Sequence, residues 1–331
     1  MSGDMPSKGN TMPSTRSRGR AGWQVVAGKE FADHLLSARF TALIAILGLA
    51  AAGAVFAASG AIRSVAPVAT GISALFLKLY TVAEDPIPFA LLTFIGFLGP
   101  LLGIMFGFDA VNGERSQGTL PRLLAQPIHR DEVINGKFVG GLSVISIMLF
   151  ALTVLVAGIG MFRLGLVPQP TEIARLLVWV VVSIVYVGFW LALATLISVI
   201  VRRAATSAIV TVAIWLGLAL FGSFVFRAIA SFISGTPNTG AEELAAAKLE
   251  LFLTQLSPIT LYEQASTALL DPEVRSVGVL TFEQIDRAIV SNLTLSQSML
   301  IVWPHVVALV AFTVICFAAA YISFMRQEVR A

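Results

Sequence analysis

Long apolar runs separated by short polar ones dominate this chain. Six of them approach or exceed the ~20 apolar residues that a bilayer core requires. They lie at about 40–58, 89–109, 139–161, 176–200, 207–230 and 299–324. The alternating ten-residue segments of a membrane β-barrel are absent from the sequence. The pattern therefore predicts an all-α integral membrane protein with six transmembrane helices. Ahead of the first run, "GWQVVAGKEFADHLLSARF" places Trp23, Ala27, Phe31 and Leu35 at successive i+4 positions. That spacing predicts an amphipathic helix over 22–38, either lying in the membrane interface or extending the first span. Residues 1–21 are polar and carry Arg16, Arg18 and Arg20. They read as a disordered basic arm rather than a signal peptide, because the first apolar run starts only near Phe40.

Two polar interruptions in the domain 39–331 are longer than turns. Residues 231–298 show helical periodicity from Glu242 to Leu256, a break at Pro258, a second helix in "SPITLYEQASTALL", and a third in "TFEQIDRAIV". The third opens with Thr281 and Gln284 at capping-box spacing. Together they predict a small helical cap on the external surface. Segment 65–81 is apolar but short and contains Lys78, which suits an interfacial or re-entrant piece rather than a seventh span.

Composition agrees with a membrane environment. The chain is 57% hydrophobic and 12% charged, where a soluble domain carries about 25% charged residues. Charge also assigns the sides. With six spans and both termini inside, segments 1–39, 109–138, 201–206 and 325–331 hold 14 of the 22 Lys and Arg and 8 of the 19 Asp and Glu. Basic residues thus gather on the side assigned to the cytoplasm, as the positive-inside rule requires. In such a protein they report sidedness rather than nucleic-acid binding, and the plasma (inner) membrane is the expected location.

Most catalytic chemistries find no residues here. Cys316 is the single cysteine, so no disulfide or thiolate metal site exists. His34, His129 and His305 lack ligand spacing. Span centres are nearly free of ionisable groups, with Asp109, Arg227 and His305 near span ends. That argues against a proton-coupled carrier or an intramembrane protease, both of which need buried charge. H-E-x-x-H and G-x-S-x-G are absent. Gly22–Lys29 only superficially suggests a P-loop: the spacing is off by one, and Glu30 replaces the magnesium-binding Ser or Thr. Active transport would need ATP and magnesium on another polypeptide. The chain itself calls for no cofactor.

Two constellations remain. Gly99, Gly103 and Gly107 share one face of the second span, in the pattern that lets helix backbones approach closely. Such a contact forms between protomers, beside a moving pathway, or within one bundle. Phe108–Lys137 carries eight charges, four of each sign. Gly118 breaks the preceding helix there, Thr119 suits an N-cap for "LPRLLAQ", and Pro127 stops it. This short helix bears a ridge of Leu120, Leu123 and Leu124. "HRDEVINGK" reads as a last polar turn into the third span. The ridge docks either on the interfacial helix of the same chain or on a cytoplasmic partner, and Glu114 and Arg115 could form charge-assisted bonds at that interface.

These residues resemble a known family. "ERSQGTLPRLLAQPIHRDEVINGK" is similar to the E-R-x-x-G-T-L…L-L-x-x-P-x-x-R-x-x-I-x-x-G-K signature of type-2 ATP-binding-cassette exporter permeases. "GKEFADHLLSARF" resembles that family's opening segment, and "LSPITLYEQASTALL" its external S-P segment. Pro121 departs from the pattern and shortens the helix. His129 stands where Ser or Thr often caps the next one. The resemblance implies a permease, similar to half of a transmembrane dimer, that exports its substrate. It implies that 109–138 forms a coupling helix which, with 22–38, contacts a separate ATP-binding subunit. Glu114, Arg115, Thr119, Leu120, Leu123, Leu124 and Arg130 are the expected coupling residues. Expected partners are that subunit, a second permease copy or a related permease, and membrane lipids. A membrane anchor for a cytoplasmic complex is the competing function, and a secondary carrier a third.

Overall fold

A computed structural model describes residues 21–65, 74–82, 90–116, 118, 129–237, 239–272 and 293–327. They form α1 (Gly22–Leu35), α2 (Ala38–Val65), α3 (Lys78–Thr81), α4 (Leu91–Gly107), α5 (Asn112–Ser116), α6 (Arg130–Leu164), α7 (Pro170–Ile200), α8 (Ala204–Ser234), α9 (Gly240–Thr254), α10 (Pro258–Leu270) and α11 (Leu295–Arg326). No strand occurs among the described residues. Among the described residues, six helices are long and apolar enough to cross a membrane: Ala38–Gly60, Leu91–Ser116, Arg130–Leu164, Pro170–Ile200, Ala204–Ser234 and Leu295–Arg326. The protein is an all-α, multi-pass membrane protein.

α7 is the hub. It packs against α4, α6, α10 and α11, and Trp179, Tyr186 and Trp190 are fully enclosed along it. α4 approaches through its glycine stripe. A β-carbon on Gly103 would meet the Val187 carbonyl oxygen at 2.5 Å and the Leu191 nitrogen at 2.7 Å. One on Gly107 would meet Ala194 Cβ at 2.7 Å, and one on Gly99 would meet Val187 Cγ2 at 3.1 Å. The stripe thus serves a contact inside this chain. By contrast α8 is mostly exposed, with only Ser207, Thr211, Trp215, Gly222 and Ala230 buried.

Several expectations need correction. α6 begins at Arg130, so "HRDEVINGK" is helical almost throughout rather than a polar turn. Glu132 makes this possible: its carboxylate accepts the His129 N–H at 3.0 Å, satisfying a free donor at the helix start. The spans are longer than hydropathy alone suggests, and they bring Lys137, Glu172, Arg175 and His305 inside helices as buried groups. α10 is not part of a surface cap. Leu261, Tyr262, Ala265, Ala268, Leu269 and Leu270 are buried, and the helix packs on α4, α7 and α11. Tyr262 stacks on Tyr186 with ring centroids 4.3 Å apart, and its hydroxyl lies 3.1 Å from Ser183 Oγ. Among the described residues of the expected cap, α9, which buries no residue, matches the surface description. Residues 74–82 form a turn and the four-residue α3, with Phe76, Leu77, Leu79 and Tyr80 buried. They form no span, as expected, and their burial suits the re-entrant alternative better than the interfacial one. The basic arm, the Thr281 helix and the leucine ridge lie outside the described residues.

Candidate coupling site at the polar end of the bundle

α1 keeps the expected stripe in part: Ala27 is buried, and Phe31 and Leu35 pack half-buried against the core. Val26, Ala27 and Glu30 are buried, while Trp23 is exposed. A close helix contact seats the buried face. A β-carbon on Gly136 would lie 2.6 Å from Val26 Cβ, and one on Gly140 would lie 2.8 Å from Glu30 Cβ. The two glycines of α6, one turn apart, are the groove that receives α1. Glu132 fastens the start of α1, accepting the Gly22 N–H at 2.9 Å. Its carboxylate therefore serves the N-termini of two helices, where their dipoles favour a negative charge.

The groove delivers Glu30 to Lys137. Lys137 Nζ lies 2.8 Å from Glu30 Oε1 and 2.7 Å from Glu114 Oε1. The side chains of Lys137, Glu30 and Glu114 are 7%, 11% and 17% exposed. One ammonium thus joins two carboxylates from α1 and α5. These three residues come from the "GKEF", "ERSQG" and "INGK" segments, far apart in sequence. A cavity of about 300 Å³ opens beside them, lined also by Lys29, Asp33, His34, Arg39, Phe106, Asp109, Ala110 and Gly113. Arg39 pairs with Asp109 at 2.7 Å, and Lys29 with Asp33 at 3.1 Å. Burial draws the His34 imidazole below its usual value of 6.5, with Glu30 and Asp109 pulling the other way. Its ring meets Phe106 edge-on at 5.0 Å.

The expected coupling residues divide into three groups. Glu114 turns inward to Lys137. Arg115 and Arg130 both reach Gln327 at the end of α11: Arg115 donates to its side-chain oxygen, and Arg130 to its carbonyl at 3.0 Å. Gln327 in turn donates to the Val199 carbonyl at 2.8 Å. Both arginines therefore tie α5 and α6 to α7 and α11 within the chain. Thr119, Leu120, Leu123 and Leu124 lie outside the described residues. Gly118 takes a left-handed backbone, φ +67°, where glycine is favoured. Sequence reasoning missed Glu30 and Lys137. The available signal was a lone lysine within a turn of an apolar span, where a charge needs a partner.

The opposite end buries charge differently. Arg175 is 4% exposed and donates to the Leu269 carbonyl at 2.9 Å, Ser298 Oγ at 3.0 Å and the Leu293 carbonyl at 2.5 Å. Glu172 accepts the Phe76 N–H at 3.2 Å and the Gln169 N–H at 2.7 Å. Lys78 lies 3.4 Å from Asp271. No group of three or more His, Cys, Asp or Glu among the described residues is arranged to hold a metal ion.

The fold is thus a bundle of six membrane-spanning helices, with an N-terminal helix docked on the third and a charged elbow after the second. The chain matches the ABC-2 family transporter proteins over residues 24–329. It belongs to that family, and its class is that of a transmembrane ABC transporter permease. Among curated proteins it is similar to the probable ABC transporter permease protein NosY of Stutzerimonas stutzeri, with 31% identity over 118 residues. That match covers 35% of this chain and 37% of the relative. NosY of Pseudomonas aeruginosa is 30% identical over 115 residues, with the same coverage. The matched stretch thus spans little more than a third of each relative.

Proposed function

We propose that this chain is the permease subunit of an ATP-driven exporter. It forms the substrate path in the plasma membrane, with both termini in the cytoplasm, and works as a dimer with a second copy or a related permease, surrounded by lipid. A separate ATP-binding subunit carries ATP and magnesium and does the hydrolysis. The observation that carries this reading is the ion cluster joining α1, α5 and α6 at the end of the bundle where the 109–138 segment begins and ends. A motor docked on that segment would push on helices already tied to the spans. Leu120, Leu123 and Leu124 form the docking ridge, because exposing them would cost about 25 cal/mol per Å² of apolar area.

Co-purification with a tagged P-loop protein, followed by magnesium-dependent ATP hydrolysis, tests the assignment. The complex should hydrolyse ATP and the permease alone should not. Hydrolysis by the pure permease, or failure of any P-loop protein to associate, overturns it. Replacing Leu123 and Leu124 with Ser should leave membrane insertion intact and weaken association at least about tenfold, a loss of about 1.4 kcal/mol. Normal association by that variant places the ridge elsewhere.

A further inference from the structure

The polar end contains two packed groups of helices. α1 lies in the glycine groove of α6. The α4–α5 arm is fastened to α7, where Ser198 Oγ accepts the Val111 and Asn112 N–H groups at 3.0 and 3.2 Å, and to α11 through Arg115 and Gln327. Between the groups, α6 packs on α7, Arg130 donates to the Gln327 carbonyl at 3.0 Å and His34 meets Phe106 edge-on, but the link that joins α1, α5 and α6 at a single atom is ionic. Lys137 on α6 holds Glu30 on α1 and Glu114 on α5 at once. The half-exposed Arg39–Asp109 pair adds a second, solvated link between α2 and the end of α4. Apolar packing tolerates sliding by fractions of an ångström in any direction. A buried ammonium between two carboxylates does not, because separating the charges leaves an uncompensated ion in a low-dielectric site.

We propose that Lys137 is a positioning residue that pins α1 and the α4–α5 arm in one register on α6, so that a displacement of either reaches the spans as a single movement. The role rests on the reading of the chain as a permease driven from this end. It concerns the two carboxylates as a pair: each comes from a helix flanking the 109–138 elbow or the N-terminal arm, and neither can shift without moving Lys137. Conversely, a chain lacking the ammonium keeps its helices but loses their common register.

Spin labels at Gly28 on α1 and Ser116 on α5, with Cys316→Ser as background, read that register directly. Both sites are exposed, and a side chain at Gly28 meets nothing within 4 Å. In lipid nanodiscs, the permease alone should give one narrow distance distribution. Lys137→Met should broaden it at least about twofold. Because Lys137→Met leaves two buried carboxylates facing each other and so risks misfolding, the triple variant Glu30→Gln, Glu114→Gln, Lys137→Met is measured beside it. Removing all charges of such a cluster is often tolerated, and this variant should fold yet show the same broadening. Adding Glu30→Gln or Glu114→Gln to Lys137→Met should widen the distribution no further, since both carboxylates act through the ammonium. A narrow, unchanged distribution in the folded triple variant overturns the proposal. The readout needs no ATP-binding subunit. Failure of the wild-type complex to assemble or hydrolyse ATP counts against the transporter reading, and an unbroadened triple variant counts against the pin.

Discussion

At one end of the bundle an ammonium sits between two carboxylates from other helices. At the other, a guanidinium is held by two backbone carbonyls and a hydroxyl, and a carboxylate by two backbone N–H groups. Both arrangements satisfy buried charge, but they make different mechanical elements. Backbone partners belong to helix ends and turns and cannot move independently of them. Arg175 holds the Leu269 carbonyl near the end of α10 and the Leu293 carbonyl just ahead of α11, which makes that end an anchor. The Lys137 cluster, in contrast, joins side chains, and it ties the α5 elbow to α1 and α6, two helices that already pack closely on each other. The polar end is therefore where relative movement of helices is both possible and restrained.

Breaking each arrangement should reveal the contrast. The largest loss of stability should come from Lys137→Met, about 3–5 kcal/mol, because two buried carboxylates lose their counter-ion. A fall in the thermal midpoint, followed by tryptophan fluorescence in detergent, checks it. Adding Glu30→Gln and Glu114→Gln should restore most of that loss. Arg175→Met should cost about 3 kcal/mol by leaving the Leu269 and Leu293 carbonyls without their donor. Unlike Lys137→Met, it should not be rescued by neutralising any acid, since Arg175 donates to two backbone carbonyls and a hydroxyl. Rescue by Glu172→Gln would contradict that picture.

Smaller effects sharpen the same contrast. Gly103→Ala should cost about 1–3 kcal/mol, because the new methyl meets the α7 backbone rather than a side chain that can rotate away. The same change at Gly158, which faces open space, should leave the thermal midpoint nearly unaltered. The Arg39–Asp109 pair, with Arg39 51% exposed, should be worth only about 0–1 kcal/mol in a double-mutant cycle. Finally, burial depresses the His34 value below 6.5. The folded chain then binds that proton less readily than the unfolded one. This contribution to stability is present above pH 6.5 and is lost as pH falls toward and through the depressed value. His34→Gln should flatten that part of the stability–pH curve, and an unchanged slope would remove His34 from the account.

The sequence was legible where a pattern repeats along one helix. Six spans, the Gly99–Gly103–Gly107 stripe and the break at Gly118 all follow from local spacing. The stripe's partner did not, since nothing in α4 names α7. Lys137 was hidden for a related reason: Glu30 is 107 residues away, and only the glycine groove at Gly136 and Gly140 brings it close. On α1 the stripe was legible at Ala27, Phe31 and Leu35, which face the core, but it failed at Trp23, because the glycine groove of α6 receives Val26 and Glu30 instead. α10 misled in the opposite sense. Its Tyr262, Gln264 and Ser266 suggest a wet surface, whereas Tyr262 finds Ser183, and Gln264 finds His305 at 3.0 Å, inside the bundle.

One distance carries the most weight. In the complex with its ATP-binding subunit, spin labels at Gly28 on α1 and at the exposed Phe162 near the far end of α6 report whether movement at the polar end reaches across the membrane. Trapping with ATP and vanadate should shift that distance in the wild type. The shift should fall at least about fivefold in the charge-free triple variant at Glu30, Glu114 and Lys137, while Arg175→Met retains it. A triple variant that shifts as the wild type does would show that the ion cluster carries no movement, and the contrast between the two ends would lose its functional meaning.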